Sequence, residues 1–185
     1  MNFKETATYL KFKDKPQDNF PEFIFVHHTG GEGGADTSKQ TAKIVEDYHL
    51  SLGWEGIGYQ FFIDINGEVW RGRPEHYHGA HVKEKGMNNK SIGICLAGNF
   101  DVTLPTEKQV ASLKELLNYV MSKYNISASK ILPHRSYALN PNGKPYKSCY
   151  GSKLGDTWAA DLVKQVPVSN KESIKKQIID LLNQL

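Results

Sequence analysis

Apolar positions along the chain fall into short continuous runs suited to strands and longer runs spaced three and four apart suited to helices. Phe23-Ile24-Phe25-Val26 is aromatic and β-branched and predicts a buried strand ending in His27-His28-Thr29. Gly30 to Asp36 is glycine-rich and predicts a loop. Thr37 or Ser38 then caps a predicted helix with Ile44, Val45, Tyr48 and Leu52 on one apolar face and Gly53 just past its end. Tyr59 to Asp64 and Glu68 to Gly72 read as a hairpin around Asn66-Gly67. Pro74 to Gly86 predicts an irregular loop rich in histidine, and Ser91 to Leu96 a further strand closed by Gly98. Thr106 and Gln109 form a capping box for a helix bearing Val110, Leu113, Leu117 and Val120 and running to about Tyr124. Lys130-Ile131-Leu132 predicts a short strand delivering His134. Residues 135–155 read as loop, with a turn over Asn140 to Gly143, and Asp156 or Thr157 caps a short helix. After Pro167, a second capping box, Ser169 with Glu172, opens a last helix carrying Ile174, Ile178, Leu181 and Leu182. Strands alternating with helices, plus one hairpin, predict an α/β fold with a mixed central β-sheet flanked by helices.

Composition changes this picture little. At 185 residues one domain is expected, preceded by an arm over 1–20, where Lys, Asp and Phe mix without period. The domain itself is placed at 21–166 and the last helix, packed on it, at 167–185. No stretch is long and apolar enough for a membrane span, and Met1 to Asp18 lacks the apolar region of a signal peptide. A net charge of +3 is too small and scattered to indicate nucleic acid. A monomer is the expectation.

The candidate chemistry sits where strands end. His27 follows the first strand, His134 the last, and Cys149 lies in the loop beyond. Imidazole and thiolate are good Zn²⁺ ligands, and three protein ligands plus water describe a catalytic zinc site. His28 is a rival for His27, although strand alternation sends neighbours to opposite faces. A lone cysteine is also often a small buried hydrophobe, the reading adopted for Cys95.

The segments Phe25-Val26-His27-His28-Thr29, Gly58-Tyr59-Gln60-Phe61-Phe62-Ile63, Gly79-Ala80-His81 and Asn89-Lys90-Ser91-Ile92-Gly93-Ile94 occur in that order. Gly98-Asn99-Phe100, Pro133-His134-Arg135 and Lys147-Ser148-Cys149 follow. Together they resemble the zinc-dependent N-acetylmuramoyl-L-alanine amidases of the type 2 family, which includes phage lysozyme-like amidases and animal peptidoglycan recognition proteins. The resemblance spans about residues 21–165. It implies the recognition-protein-like amidase fold, Zn²⁺ held by His27, His134 and Cys149, and catalytic roles for Tyr59 and Lys147. It implies substrate contacts from Trp70, Arg73, His81 and Asn99. The pattern departs from the family at Tyr137 to Tyr146, which looks like an insertion, and at Tyr150-Gly151, which replaces Pro-Gly.

The resemblance further implies bacterial peptidoglycan as partner and hydrolysis of the amide between N-acetylmuramic acid and L-alanine. With no signal peptide visible, the expected setting is synthesis in a host or bacterial cytoplasm and action at the wall, as a phage or prophage endolysin or an autolysin. Two other readings stay open: a non-catalytic peptidoglycan-binding module of the same fold, and a structural zinc site with His28 or His81 as fourth ligand.

Overall fold

The computed structural model describes residues 2–164; the last predicted helix, from Ser169 onward, lies outside the described residues. The elements in chain order are β1 (Lys4–Glu5), α1 (Ala7–Phe12), β2 (Phe23–His28), α2 (Ala42–Ser51), β3 (Phe61–Ile63), β4 (Val69–Arg71), β5 (Ser91–Leu96), α3 (Glu107–Tyr124), β6 (Ile131–Pro133) and α4 (Trp158–Asp161). The strands form one 6-stranded sheet in the order β1-β4-β3-β5-β2-β6. Only the β3–β4 hairpin is antiparallel; the remaining pairings are parallel. The expected α/β architecture with a mixed sheet and flanking helices is what is found.

Alternation along the strands assigns the two faces. On one face Ile24, Val26, Phe61, Ile63, Ile92, Ile94 and Leu96 join Leu113, Leu116, Leu117 and Val120 of α3 in the main core. On the other, Phe62 and Cys95 meet Ala42 and Val45 of α2, while Phe25 meets Val82 and Met87. His27 belongs to this second face and His28 to the first. In register, Phe62 pairs with Cys95 and Cys95 with His27, which puts a small thiol, not a bulky side chain, beside the histidine.

The capping box of α3 is formed as expected: the Thr106 amide donates to Gln109 Oε1 at 3.0 Å, and Thr106 Oγ1 accepts from the Gln109 amide at 3.2 Å. Two expectations need correction. The segment read as an arm contains β1, which covers the edge of β4, and α1, whose Phe12 is buried. And α2 starts at Ala42, capped by Thr41, and buries Val45, Glu46 and His49, whereas Ile44, Tyr48 and Leu52 are exposed. These errors share one cause. Glu46 Oε1 accepts from the backbone amide of Thr8 at 2.7 Å and from its hydroxyl, and Thr8 Oγ1 in turn accepts from the Ile57 amide at 3.0 Å. A buried carboxylate is tolerated on α2 because α1 supplies its donors, a tertiary pairing that local periodicity does not contain.

Candidate metal centre and groove

The site is built on the second face of the sheet. His27, near the end of β2, and His134, immediately after β6, are brought close by the pairing of these strands, and their ring centroids lie 5.0 Å apart. Cys149 comes from the loop preceding α4. The ligand atoms of His27, His134 and Cys149 all lie within 4.8 Å of one another, and Cys149 Sγ is 3.5 Å from His27 Nδ1. With zinc bond lengths of about 2.0–2.3 Å, tetrahedral neighbours stand about 3.3–3.7 Å apart, so this donor set of two imidazoles and a thiol fits Zn²⁺.

Arg135 holds the loop that carries Cys149. Its backbone amide donates to Cys149 O at 2.8 Å. Its guanidinium donates to the carbonyls of Ser148 (3.0 Å), Gly151 (2.7 Å) and Leu154 (2.6 Å), and to Asp156 at 2.6 Å. One side chain next to a ligand therefore pins the backbone on both sides of the other.

Each histidine is also held from behind. His27 Nε2 lies 3.2 Å from His81 Nδ1. If His27 Nδ1 serves the metal, Nε2 carries the proton and His81 accepts it, which leaves the remaining N–H of His81 on Nε2. That atom is buried without a partner, with its ring packed where Gly79 and Gly93 lack side chains; a Cβ on Gly93 would sit 2.5 Å from the ring. Burial holds the His81 pKa down at about 3 and that of His27 well below its ordinary value. His134 Nε2 lies 3.3 Å from Glu84 Oε2, and Glu84 also accepts from the Tyr146 hydroxyl. Burial again depresses His134, aided by the Lys147 charge. Both imidazoles are thus neutral at ordinary pH, the form that binds metal.

The donor set floors a groove of about 650 Å³ whose walls include Trp54, Tyr59, Tyr146 and Lys147. The Tyr59 ring is 5.1 Å from that of His27, and burial pushes its phenol well above the ordinary pKa, so it is a donor throughout the accessible range. Lys147 is exposed at the rim. His28 faces the opposite side, where its Nδ1 accepts from the Phe100 amide at 2.9 Å. Neither proposed fourth ligand joins the group, since His28 is turned away and His81 stands behind His27.

Three of the substrate contacts expected from the resemblance are placed elsewhere. Trp70 packs on the second core beneath Lys4, whose ammonium is 5.1 Å from its ring. Arg73 is buried and donates to Ile57 O and His78 O, both at 3.0 Å. Asn99 is buried and spends its amide on Gly31 O (3.3 Å) and Ala35 O (3.0 Å), bracing the glycine loop. Arg73 and Asn99 spend their polar groups on folding contacts, whereas Trp70 Nε1 is buried with no hydrogen-bond partner. His81 does border the groove, but its Nδ1 serves His27. Sequence reasoning missed Trp54, Glu84 and Tyr146. Only Tyr146 carried a signal, its place at the end of the inserted segment.

A family model described as N-acetylmuramoyl-L-alanine amidase matches residues 17–151. Peptidoglycan-recognition protein SC2 of Drosophila melanogaster is 34% identical over 117 residues, 62% of this chain and 62% of that protein, so the match spans less than two thirds of the relative. The solved endolysine N-acetylmuramoyl-L-alanine amidase LysCS from Clostridium intestinale is 31% identical, with a TM-score of 0.64 over 81% of this chain and 87% of that one. A Drosophila PGRP-LB mutant solved in complex with tracheal cytotoxin is 29% identical, with a TM-score of 0.58 over 75% and 79% of the two chains. No helix among the described residues is long and apolar enough to cross a membrane. With most of its length matched by that model, the chain belongs to the N-acetylmuramoyl-L-alanine amidase family, the type 2 amidases and peptidoglycan recognition proteins.

Proposed function

We propose that the protein is a zinc amidase that hydrolyses the bond between N-acetylmuramic acid and the L-alanine of peptidoglycan, acting as a phage or prophage endolysin or an autolysin. The observation that carries this reading is the grouping of His27, His134 and Cys149 within 4.8 Å on the floor of a groove that also presents Tyr59 and Lys147. Similarity to the LysCS endolysine supports the endolysin setting.

Zinc, when bound by these three residues, supplies a Lewis acid and lowers the pKa of a coordinated water to about 7. The chain's own groups do the rest. The lactyl carbonyl enters between His27 and the groove rim, where the Lys147 ammonium faces the oxygen that gains charge as water adds. The protonated Tyr59 hydroxyl orients the water or donates to that oxygen. The C–N bond then breaks, the alanine nitrogen takes up a proton, and a lactyl carboxylate and a free amine leave.

Digestion of purified cell walls tests this: new alanine amino termini should appear in step with soluble fragments. Wall binding with stoichiometric zinc and no new amino termini would mean a recognition module instead. Tyr59→Phe and Lys147→Ala should each lower turnover about a hundredfold, the usual loss for one transition-state donor, with zinc content unchanged. Either variant turning over at the parent rate removes that residue from the mechanism.

A further inference from the structure

We propose that Glu84 is a positioning residue for His134, and that the 137–146 hairpin holds Glu84 in place through Tyr146. The inference rests on the zinc reading above, but its geometry is independent of it. The inserted segment is a braced unit. It starts on the His134 carbonyl, which accepts from the amides of Tyr137 (3.0 Å) and Ala138 (3.1 Å). Leu139 and Pro145 form a β-bridge, and Asn140 closes the turn by accepting from the amides of Asn142 and Lys144 on its side chain, both at 3.0 Å. The Tyr146 amide returns to Ala138 O at 2.9 Å. The hairpin therefore leaves from one metal ligand and delivers Tyr146 just before Lys147 and Cys149.

The Glu84 side chain is only 15% exposed and is shared between Tyr146 and His134. An ionised carboxylate only accepts hydrogen bonds. Tyr146 occupies one oxygen as a donor, so contact with the other requires the His134 proton on Nε2. That leaves the lone pair of His134 on Nδ1, available to a metal. Glu84 thus selects one tautomer and one ring orientation, the service outer carboxylates commonly give to metal-bound histidines. The closed path from the His134 backbone through the hairpin, Tyr146 and Glu84 back to the His134 ring also fixes the rim where Lys147 stands. It gives the insertion a task that its sequence does not announce.

The experiment compares wild type with Glu84→Ala, Glu84→Gln and Tyr146→Phe on two readouts. Zinc affinity is measured by competition with a chelating dye, and the His134 tautomer by the ¹⁵N shifts of its ring in the metal-free protein. Glu84→Ala should weaken zinc about 10–100-fold and lose the pure Nε2–H tautomer. Glu84→Gln, whose amide oxygen still accepts from His134, should recover most of the affinity, and Tyr146→Phe should fall between. The thermal midpoints of the metal-free forms should stay close together. Zinc affinities within twofold of wild type for both Glu84→Ala and Tyr146→Phe would overturn the proposal, as would a wild-type His134 protonated on Nδ1. Wild type that takes up no zinc but shows the Nε2–H tautomer, lost in Glu84→Ala, would overturn the zinc reading and uphold this one.

Discussion

Cys149→Ser should abolish zinc retention and amidase turnover together while leaving the fold intact. The side chain is half-buried, and its loop is fixed by Arg135 through backbone carbonyls, contacts that a serine leaves untouched. What changes is the donor. Thiolate is a strong zinc ligand, whereas a serine hydroxyl stays protonated and binds weakly. A metal that polarises a carbonyl supplies several kcal/mol to the transition state, and about 4 kcal/mol is about a thousandfold in rate, so at least that loss is expected. The pH dependence of binding gives a second check. Burial pushes the Cys149 thiol of the metal-free protein up to about 12, against the pull of the Lys147 and Arg135 charges. His27 and His134 are already neutral, because burial lowers both. Zinc uptake therefore expels one proton from sulfur, and the logarithm of the affinity should rise by about one per pH unit just below about pH 7, and more steeply above it, where a coordinated water also ionises. A serine variant that holds one zinc per chain and cleaves walls at the parent rate would remove Cys149 from the site.

The candidate metal donors were legible because they are few in kind and sit beside strong strand patterns. Phe23 to Val26 and Ile131 to Leu132 can hardly be anything but buried strands, and a histidine just beyond each is placed at once. The strand alternation that separates His27 from His28 is equally local, and both rings stand on the faces it assigns. The residues that support the site were not legible. Glu84 lies between two lysines in the histidine-rich loop predicted over Pro74 to Gly86, and nothing nearby marks it as a partner of His134, 50 positions away. Trp70, Arg73 and Asn99 show the opposite case. Each has the chemistry of a substrate contact, yet Arg73 and Asn99 hydrogen-bond to backbone carbonyls and Trp70 packs on the second core, arrangements that only the assembled structure reveals. The Glu46–Thr8 pair hid α1 and the orientation of α2 together, since each explains the other.

Acid should begin to destabilise the metal-free protein before most of its carboxylates titrate. Three buried histidines outside the ligand set are held neutral: His28 and His49 at about 4 and His81 at about 3, in each case chiefly by burial. Geometry gives the same answer. His28 Nδ1 accepts from the Phe100 amide at 2.9 Å, and His49 Nδ1 accepts from the Gly58 amide at 3.1 Å. Protonation would put a hydrogen on each of these acceptors and set it against an N–H. In the unfolded chain the same residues take up protons near pH 6.5. Below that value the unfolded state binds more protons than the native one, so stability is full above about pH 6.5 and is lost as pH falls toward 4. Each histidine adds up to about 1.4 kcal/mol per pH unit, and three acting together up to about 4 kcal/mol. Against a typical total of about 5–15 kcal/mol, two pH units are enough to bring the fold near its midpoint. Urea titrations between pH 8 and 4.5 measure this directly, with the lower bound chosen to stay above most carboxylate pKa values. His49→Gln, which keeps an acceptor for the Gly58 amide without a basic nitrogen, should flatten the slope by about one proton. A stability that stays level from pH 7 to 5, or a slope unchanged in His49→Gln, would show that these rings protonate in place and that burial does not hold them neutral.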